Sequence, residues 1–227
     1  MIDRLAYGGV DARLVISEKL HKVVQKSGAR VLDMCCGVGM STRALQSAFQ
    51  DAEAVIGVDT SPEMIAMARV ISNNEFQFRK QLYAIFKALS STKFHMNQVR
   101  RCISTYVRGN AERTKFPARS FDLVTIMYAF HEAPKRGRYL MLREARRLLQ
   151  NGGTLALVDI SPEYKPSPTM LAGEPYVLEY QQNIKKQVRG MTGFTDVQYI
   201  DVIPGHVVMW LLTRDCKNGD FKKAAIH

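Results

Sequence analysis

The sequence predicts an α/β protein: a mostly parallel sheet of seven strands with helices on both faces, closed by a C-terminal antiparallel hairpin. Three observations carry that expectation. Strand and helix patterns alternate from residue 29 to 160, as a parallel sheet covered by helices requires. The inner strands are short apolar runs, the pattern of strands buried on both faces. Two further runs, 194–203 and 206–214, flank Pro204-Gly205 and read as a hairpin.

In order, a helix is expected at about 11–26, where Leu14, Ile16, Leu20, Val23 and Val24 supply a broad apolar face. ARVLDMCC (29–36) is a buried strand entering a glycine turn, and 41–49 is the helix after it. A second strand (52–60) leads into a helix (61–71) with Ser61 as N-cap and Pro62 in its first turn. The crossover from Asp59 leads to a third strand ending at Gly109; a fourth strand at 120–129 precedes a basic amphipathic helix at 136–150, stopped by Asn151-Gly152-Gly153 before the fifth strand, 154–160. Arg136, Arg138, Arg143, Arg146 and Arg147 of that helix are expected to face solvent.

Residues 1–227 read as a single domain, without repeats or low-complexity runs. Two stretches exceed the minimal unit. Between Asp59 and Gly109 lies an insertion, about 72–107, with Phe78, Leu82, Ile85, Phe86 and Leu89 at helical spacing. It reads equally as a substrate lid or a dimer surface, so a homodimer is among the expected assemblies. The second stretch, 161–188, is a proline-rich loop running into a helix, placed after the fifth strand where open parallel sheets bind ligands.

Lys and Arg number 32 against 21 Asp and Glu, a net charge of +11. Residues 70–108 alone carry seven basic groups against Glu75, or +6 of that total. The excess admits an anionic metabolite, anionic lipid or nucleic acid as partner. No apolar run approaches the roughly 20 residues of a membrane span. Four cysteines without CxxC spacing suit a reducing compartment, and no metal is expected. The expected location is intracellular: cytoplasmic, or organellar if a transit peptide has been removed.

The chemistry concentrates in VLDMCCGVGMST (31–42). Gly37 and Gly39 let the backbone pass close beneath a ligand at a helix N-terminus. Thr42 stands where a dinucleotide fingerprint has its third glycine, and Asp33 would repel a pyrophosphate. Asp33 suits a ligand carrying an ammonium and a sulfonium instead. Asp59 ends the second strand 20 positions after Gly39, where an acid accepts both hydroxyls of a ribose.

VLDMCCGVG (31–39), VIGVDTSPEMIAMAR (55–69), GNAERTKFPARSFDLVTIMYAFHE (109–132) and EARRLLQNGGTLALVDI (144–160), in that order, resemble the class I S-adenosylmethionine-dependent methyltransferases. The likeness is to the small-molecule branch that includes the ubiquinone/menaquinone C-methyltransferases, with their Rossmann-like sheet. The resemblance implies S-adenosyl-L-methionine as cofactor and S-adenosyl-L-homocysteine as product. It places the methionine end at Asp33, Cys35, Gly37 and Gly39, and the ribose at Asp59 beside Thr60 and Met64. It places the adenine edge at Asn110 and Ala111, with Met127 lining the turn after the fourth strand. Cys35 stands where the family has its first glycine and Asn110 where it has Asp.

Methyl transfer is an in-line displacement that gains most from positioning. His131, beside Glu132, is the candidate general base, with helix capping or loop orientation as its structural alternative. Tyr7, Tyr128, Tyr176 and Tyr180 are candidates for the acceptor pocket, together with Glu132. A small-molecule acceptor, such as a thioether carboxylate, phenol or quinol, is the leading expectation. An RNA or DNA methyltransferase is disfavoured because the segment after the fourth strand reads YAFHEAP, without an Asn/Asp-Pro-Pro-aromatic motif. A cofactor-binding partner subunit without catalysis is the third reading.

Overall fold

The computed structural model describes residues 11–89 and 104–216, with residues 79 and 82–89 as backbone only. The chain forms two compact units that divide between Asn110 and Ala111. Among the described residues no helix is long and apolar enough to cross a membrane.

The first unit opens with α1 (Ala12–Val24). Asp11 caps it by accepting the Leu14 N–H, and Gln25 ends it in the left-handed region. There follow β1 (Arg30–Met34), α2 (Met40–Ala48), β2 (Ala54–Asp59), α3 (Pro62–Leu89) and β3 (Thr105–Arg108). The three strands lie in the order β3-β2-β1, all parallel, with Leu32 opposite Ile56 and Ile56 opposite Thr105. Val31, Leu32 and Met34 are buried, as an apolar run without alternation demands.

The insertion is built differently from the expectation. The helix expected to end near 71 instead runs on through Leu89 as one 28-residue element. Ser72, Asn73 and Asn74 are weak helix formers, but no Gly or Pro interrupts the chain there. Ile65, Ala68 and Ser72 bury one face of α3, while Gln77, Phe78, Lys80 and Gln81 are exposed. The remainder of the 72–107 insertion, residues 90–103, lies outside the described residues, as does the expected pocket residue Tyr7.

The second unit contains β4 (Phe121–Met127), α4 (Lys135–Leu148), β5 (Leu149–Ile160), α5 (Pro168–Gly173), α6 (Val177–Arg189), β6 (Phe194–Ile203) and β7 (Val207–Arg214). Its strand order is β4-β5-β7-β6. β4 and β5 are parallel, and β7 runs antiparallel to both β5 and β6, with Leu157 opposite Trp210. The hairpin turns at Pro204-Gly205 as expected, Gly205 taking φ +74°. Asn151-Gly152-Gly153 does not stop the helix: α4 ends at Leu148, and these residues form an irregularity within β5, between the pairings of Leu149 and Thr154. The loop and helix expected at 161–188 resolve into α5 and α6, with Glu174 in the connection.

The arginines of α4 divide. Arg136 and Arg143 are exposed as expected, whereas Arg138 is fully buried and Arg146 nearly so. Arg138 donates to the carbonyls of Phe130 and Ala133, to Gln187 and to Glu179. Its cost of burial is offset by these four hydrogen bonds, two of them to carbonyls of the turn after β4 and one to a carboxylate. Arg146 donates to the Gly193 carbonyl, and Arg147 pairs with buried Glu144, which also accepts the N–H and hydroxyl of Thr114.

Arg138→Ala is therefore expected to cost about 3 kcal/mol in denaturant unfolding, since it strands buried acceptors. Burial would raise the Glu144 pKa, but Arg147 and Thr114 outweigh it and hold the carboxyl below its usual value. A depressed folded-state pKa contributes stability above the unfolded value, near 4.5, and loses it as pH falls through the folded one. Unfolding measured between about pH 6 and 3 should show this acid-linked loss in the parent, and less of it in Glu144→Gln.

Candidate active site

In the first unit, the carboxyl ends of β1 and β2 carry the candidate cofactor residues. The chain leaves β1 through Cys35, Cys36 and the glycine turn into α2. Cys35 adopts φ +60°, a left-handed conformation that glycine takes freely and that costs a side-chain-bearing residue about 1–2 kcal/mol. Gly37 follows at φ +53°, with open space where a side chain would stand. Its N–H donates to Asp59 Oδ2 at 2.9 Å, while Asp59 Oδ1 accepts the Ser61 N–H at 3.0 Å. One carboxylate thereby ties the tip of β2 to the glycine turn and still has lone pairs to offer, because an ionised carboxylate provides about four.

Gly39 is a glycine for another reason. At φ +80° a Cβ would stand 2.6 Å from the Tyr106 ring, so packing against β3 already excludes a side chain here. Asp33 is buried beneath the turn and accepts the Thr42 hydroxyl at 2.6 Å. Burial, with the charges of Asp33 and Asp59 nearby, pushes the Cys36 thiol far above its ordinary value and leaves it an inert thiol.

In the second unit, β4 and β5 end in a buried pair. Asp159 is inaccessible to solvent, and four donors reach its two oxygens. Oδ2 accepts the N–H of Phe130 at 2.8 Å and that of His131 at 3.3 Å; Oδ1 accepts the Ile160 N–H at 2.7 Å. The fourth donor is His131 Nδ1, 2.5 Å from Oδ1. With its proton on Nδ1, the imidazole presents a lone pair at Nε2. Tyr180 meets the His131 ring edge-on at 6.4 Å and donates its hydroxyl to the Ile160 carbonyl. Glu174 Oε2 lies 3.4 Å from Nε2, and Glu132 Oε1 3.8 Å from it. Burial alone would lower the His131 pKa; the hydrogen bond and charge of Asp159, then Glu174 and Glu132, outweigh it and hold it above the usual imidazole value.

A family profile described as "Methyltransferase domain" matches residues 32–157, more than half of the chain and all of β4. The chain belongs to the methyltransferase domain family. An uncharacterized methyltransferase of Synechocystis is 31% identical over 148 residues, 65% of this chain and 53% of that protein. The demethylmenaquinone methyltransferase of Lactiplantibacillus plantarum is 31% identical over 140 residues, 62% of this chain and 48% of that one. The chain thus spans about half the length of these curated relatives. A crystal structure of a SAM-dependent methyltransferase from Aquifex aeolicus superposes with a TM-score of 0.59 at 16% identity, covering 90% of this chain and 94% of that one. The expected class I methyltransferase fold, with its antiparallel C-terminal hairpin, is therefore the fold of this protein.

The donor set suits the family's cofactor, S-adenosylmethionine. Asp59 can accept ribose hydroxyls, the Gly37 turn is open, and no basic side chain stands within the turn to hold a pyrophosphate. Thr60, Met64 and Asn110 are exposed, and Ala111 and Met127 are buried. Tyr128, one residue past β4, takes φ +57° and is half-buried.

Two expectations change. Tyr180 is no pocket wall: it is fully buried, and its hydroxyl is committed to Ile160, so it supports His131 from behind. Nor does His131 cap a helix, because Pro134 occupies the N-cap of α4. Tyr176 is 36% exposed at the start of α6, and Glu132 projects outward with 63% of its side chain exposed. Sequence reasoning missed Asp159, Glu174 and Arg138. Asp159 carried a signal, an acid at the end of a buried strand; Glu174 carried none.

Gly39→Ala is expected to cost about 2–4 kcal/mol, from both its φ and the clash with Tyr106. Cys35→Gly should leave stability unchanged or raise it by up to about 1 kcal/mol. Denaturant unfolding of the two variants beside the parent checks both.

Proposed function

We propose that this protein transfers the methyl group of S-adenosylmethionine to a small-molecule acceptor. The observation that carries the reading is the Asp59 carboxylate fastened under the open Gly37 turn at the end of β2. When bound, S-adenosylmethionine supplies a methyl group already activated on a sulfonium. Asp59 accepts from the ribose hydroxyls, and the Asn110 amide donates to and accepts from the adenine edge. Asp33, held by Thr42 beneath the turn, biases that end of the site toward a cation.

In this reading the second unit handles the acceptor. Asp159 fixes the His131 ring through Nδ1, so that His131 acts through Nε2. Glu132, Tyr128 and Tyr176 then shape the acceptor's surroundings. The Lactiplantibacillus relative is named for demethylmenaquinone, which supports a phenol- or quinol-like acceptor over a nucleic acid.

Calorimetric titration tests the reading. The protein should bind S-adenosylmethionine and S-adenosylhomocysteine but not NADH, and Asp59→Ala should weaken both by at least tenfold. His131→Gln should bind the cofactor like the parent. It should lose about 10²–10⁴-fold in turnover when quinols and phenols are screened with methyl-labelled cofactor. Absence of binding to both sulfur ligands overturns the proposal.

A further inference from the structure

We infer that His131, Glu132 and Glu174 form a site for a divalent metal ion of the Zn2+ or Mn2+ class. The three candidate ligand atoms, His131 Nε2, Glu132 Oε1 and Glu174 Oε2, all lie within 4.8 Å of one another. Ligand atoms about 2.1 Å from a tetrahedral ion stand roughly 3.4 Å apart. The distance from Nε2 to Glu174 Oε2 is 3.4 Å, and Glu132, at 3.8 Å, has an exposed side chain that closes the gap by rotation.

Two further observations point to a ligand between these atoms. Glu174 Oε2 is cut off from solvent and has no hydrogen-bond partner. An anionic oxygen buried in that state costs free energy that a cation would recover. The His131 side chain is only 7% exposed, so Nε2 faces the two carboxylates with little access to water. Meanwhile Asp159 accepts a hydrogen bond from Nδ1–H and so aims the Nε2 lone pair at the cluster, the outer-shell arrangement that orients metal-bound histidines.

The donor set decides the class of ion. One neutral imidazole with two carboxylates suits Zn2+ or Mn2+, whereas Ca2+ and Mg2+ favour all-oxygen shells. Three protein ligands leave a fourth position open, as in reactive rather than structural sites. With Nε2 on the ion that nitrogen no longer serves as a base, and under the methyl-transfer reading the open position takes the acceptor oxygen in its place; the cation site itself does not depend on that reading.

The test is titration of the purified 227-residue protein, stripped with chelator, with Mn2+ followed by electron paramagnetic resonance and with Zn2+ followed by calorimetry. One ion per chain is expected, with Glu174→Gln and Glu132→Gln each weakening binding at least tenfold. The Glu132 side chain is exposed, so this variant keeps the fold even if Glu174→Gln does not; thermal melts of the metal-free proteins verify it. Failure of the parent to bind either ion stoichiometrically overturns the inference, as does binding that Glu132→Gln leaves unchanged. S-adenosylmethionine affinity, measured on the same samples, separates the two readings: cofactor binding without metal binding removes only the metal site, and metal binding without cofactor binding removes only the methyl-transfer assignment.

Discussion

A carboxylate removed from water has to be satisfied by hydrogen bonds, and Asp159 meets that demand by gathering four donors. Three come from the main chain at Phe130, His131 and Ile160, and they join the turn after β4 to the end of β5. The fourth is the His131 ring. One buried charge therefore sets the path of the turn, the tautomer of the imidazole and the direction in which Nε2 points. Arg138 reinforces the same turn from α4 through the Phe130 and Ala133 carbonyls. Tyr180 closes the ring's edge from α6. The Phe130 and His131 N–H groups and the Phe130 and Ala133 carbonyls are thus held by side chains from outside the turn.

The first unit uses an acid in a related way. Asp59 binds main-chain N–H groups of Gly37 and Ser61, so the turn after β1 and the start of α3 are held by a single side chain. In each unit the residue immediately after a parallel strand, Cys35 after β1 and Tyr128 after β4, is forced into the left-handed region without being glycine. Such conformations persist only where surrounding bonds over-determine them, and they collect at ligand sites. The main-chain pairings of Cys36 N–H with the Val58 carbonyl, and of Tyr128 N–H with that of Val158, supply that determination.

Charge illustrates how far composition carries an argument. The basic excess of α4 suggests a solvated face, and for Arg136 and Arg143 that is the outcome. Arg138 and Arg146 are buried instead, and their guanidinium groups cap carbonyls of the turn after β4 and of Gly193. Helical periodicity identifies which positions share a face. It does not say that the face will meet carbonyls needing donors, and only that need makes a buried arginine affordable.

The strands, the glycine turn, Asp59 and the closing hairpin were legible from residues alone, because local rules govern them: apolar runs for buried strands, glycine at positive φ, an acid at a strand end. Continuity of α3 through Leu89 was not legible, since weak helix formers neither require nor forbid a break. His131 stood out by type and place, but its partner lies 28 positions away in Asp159 and its opposing carboxylate 43 positions away in Glu174. Long-range pairs of that kind leave no periodicity in the chain. The sequence by itself determined the sheet, its cofactor turn and the family; only the tertiary structure decided which buried charges meet, because desolvation acts on groups brought together by folding and not on neighbours in sequence.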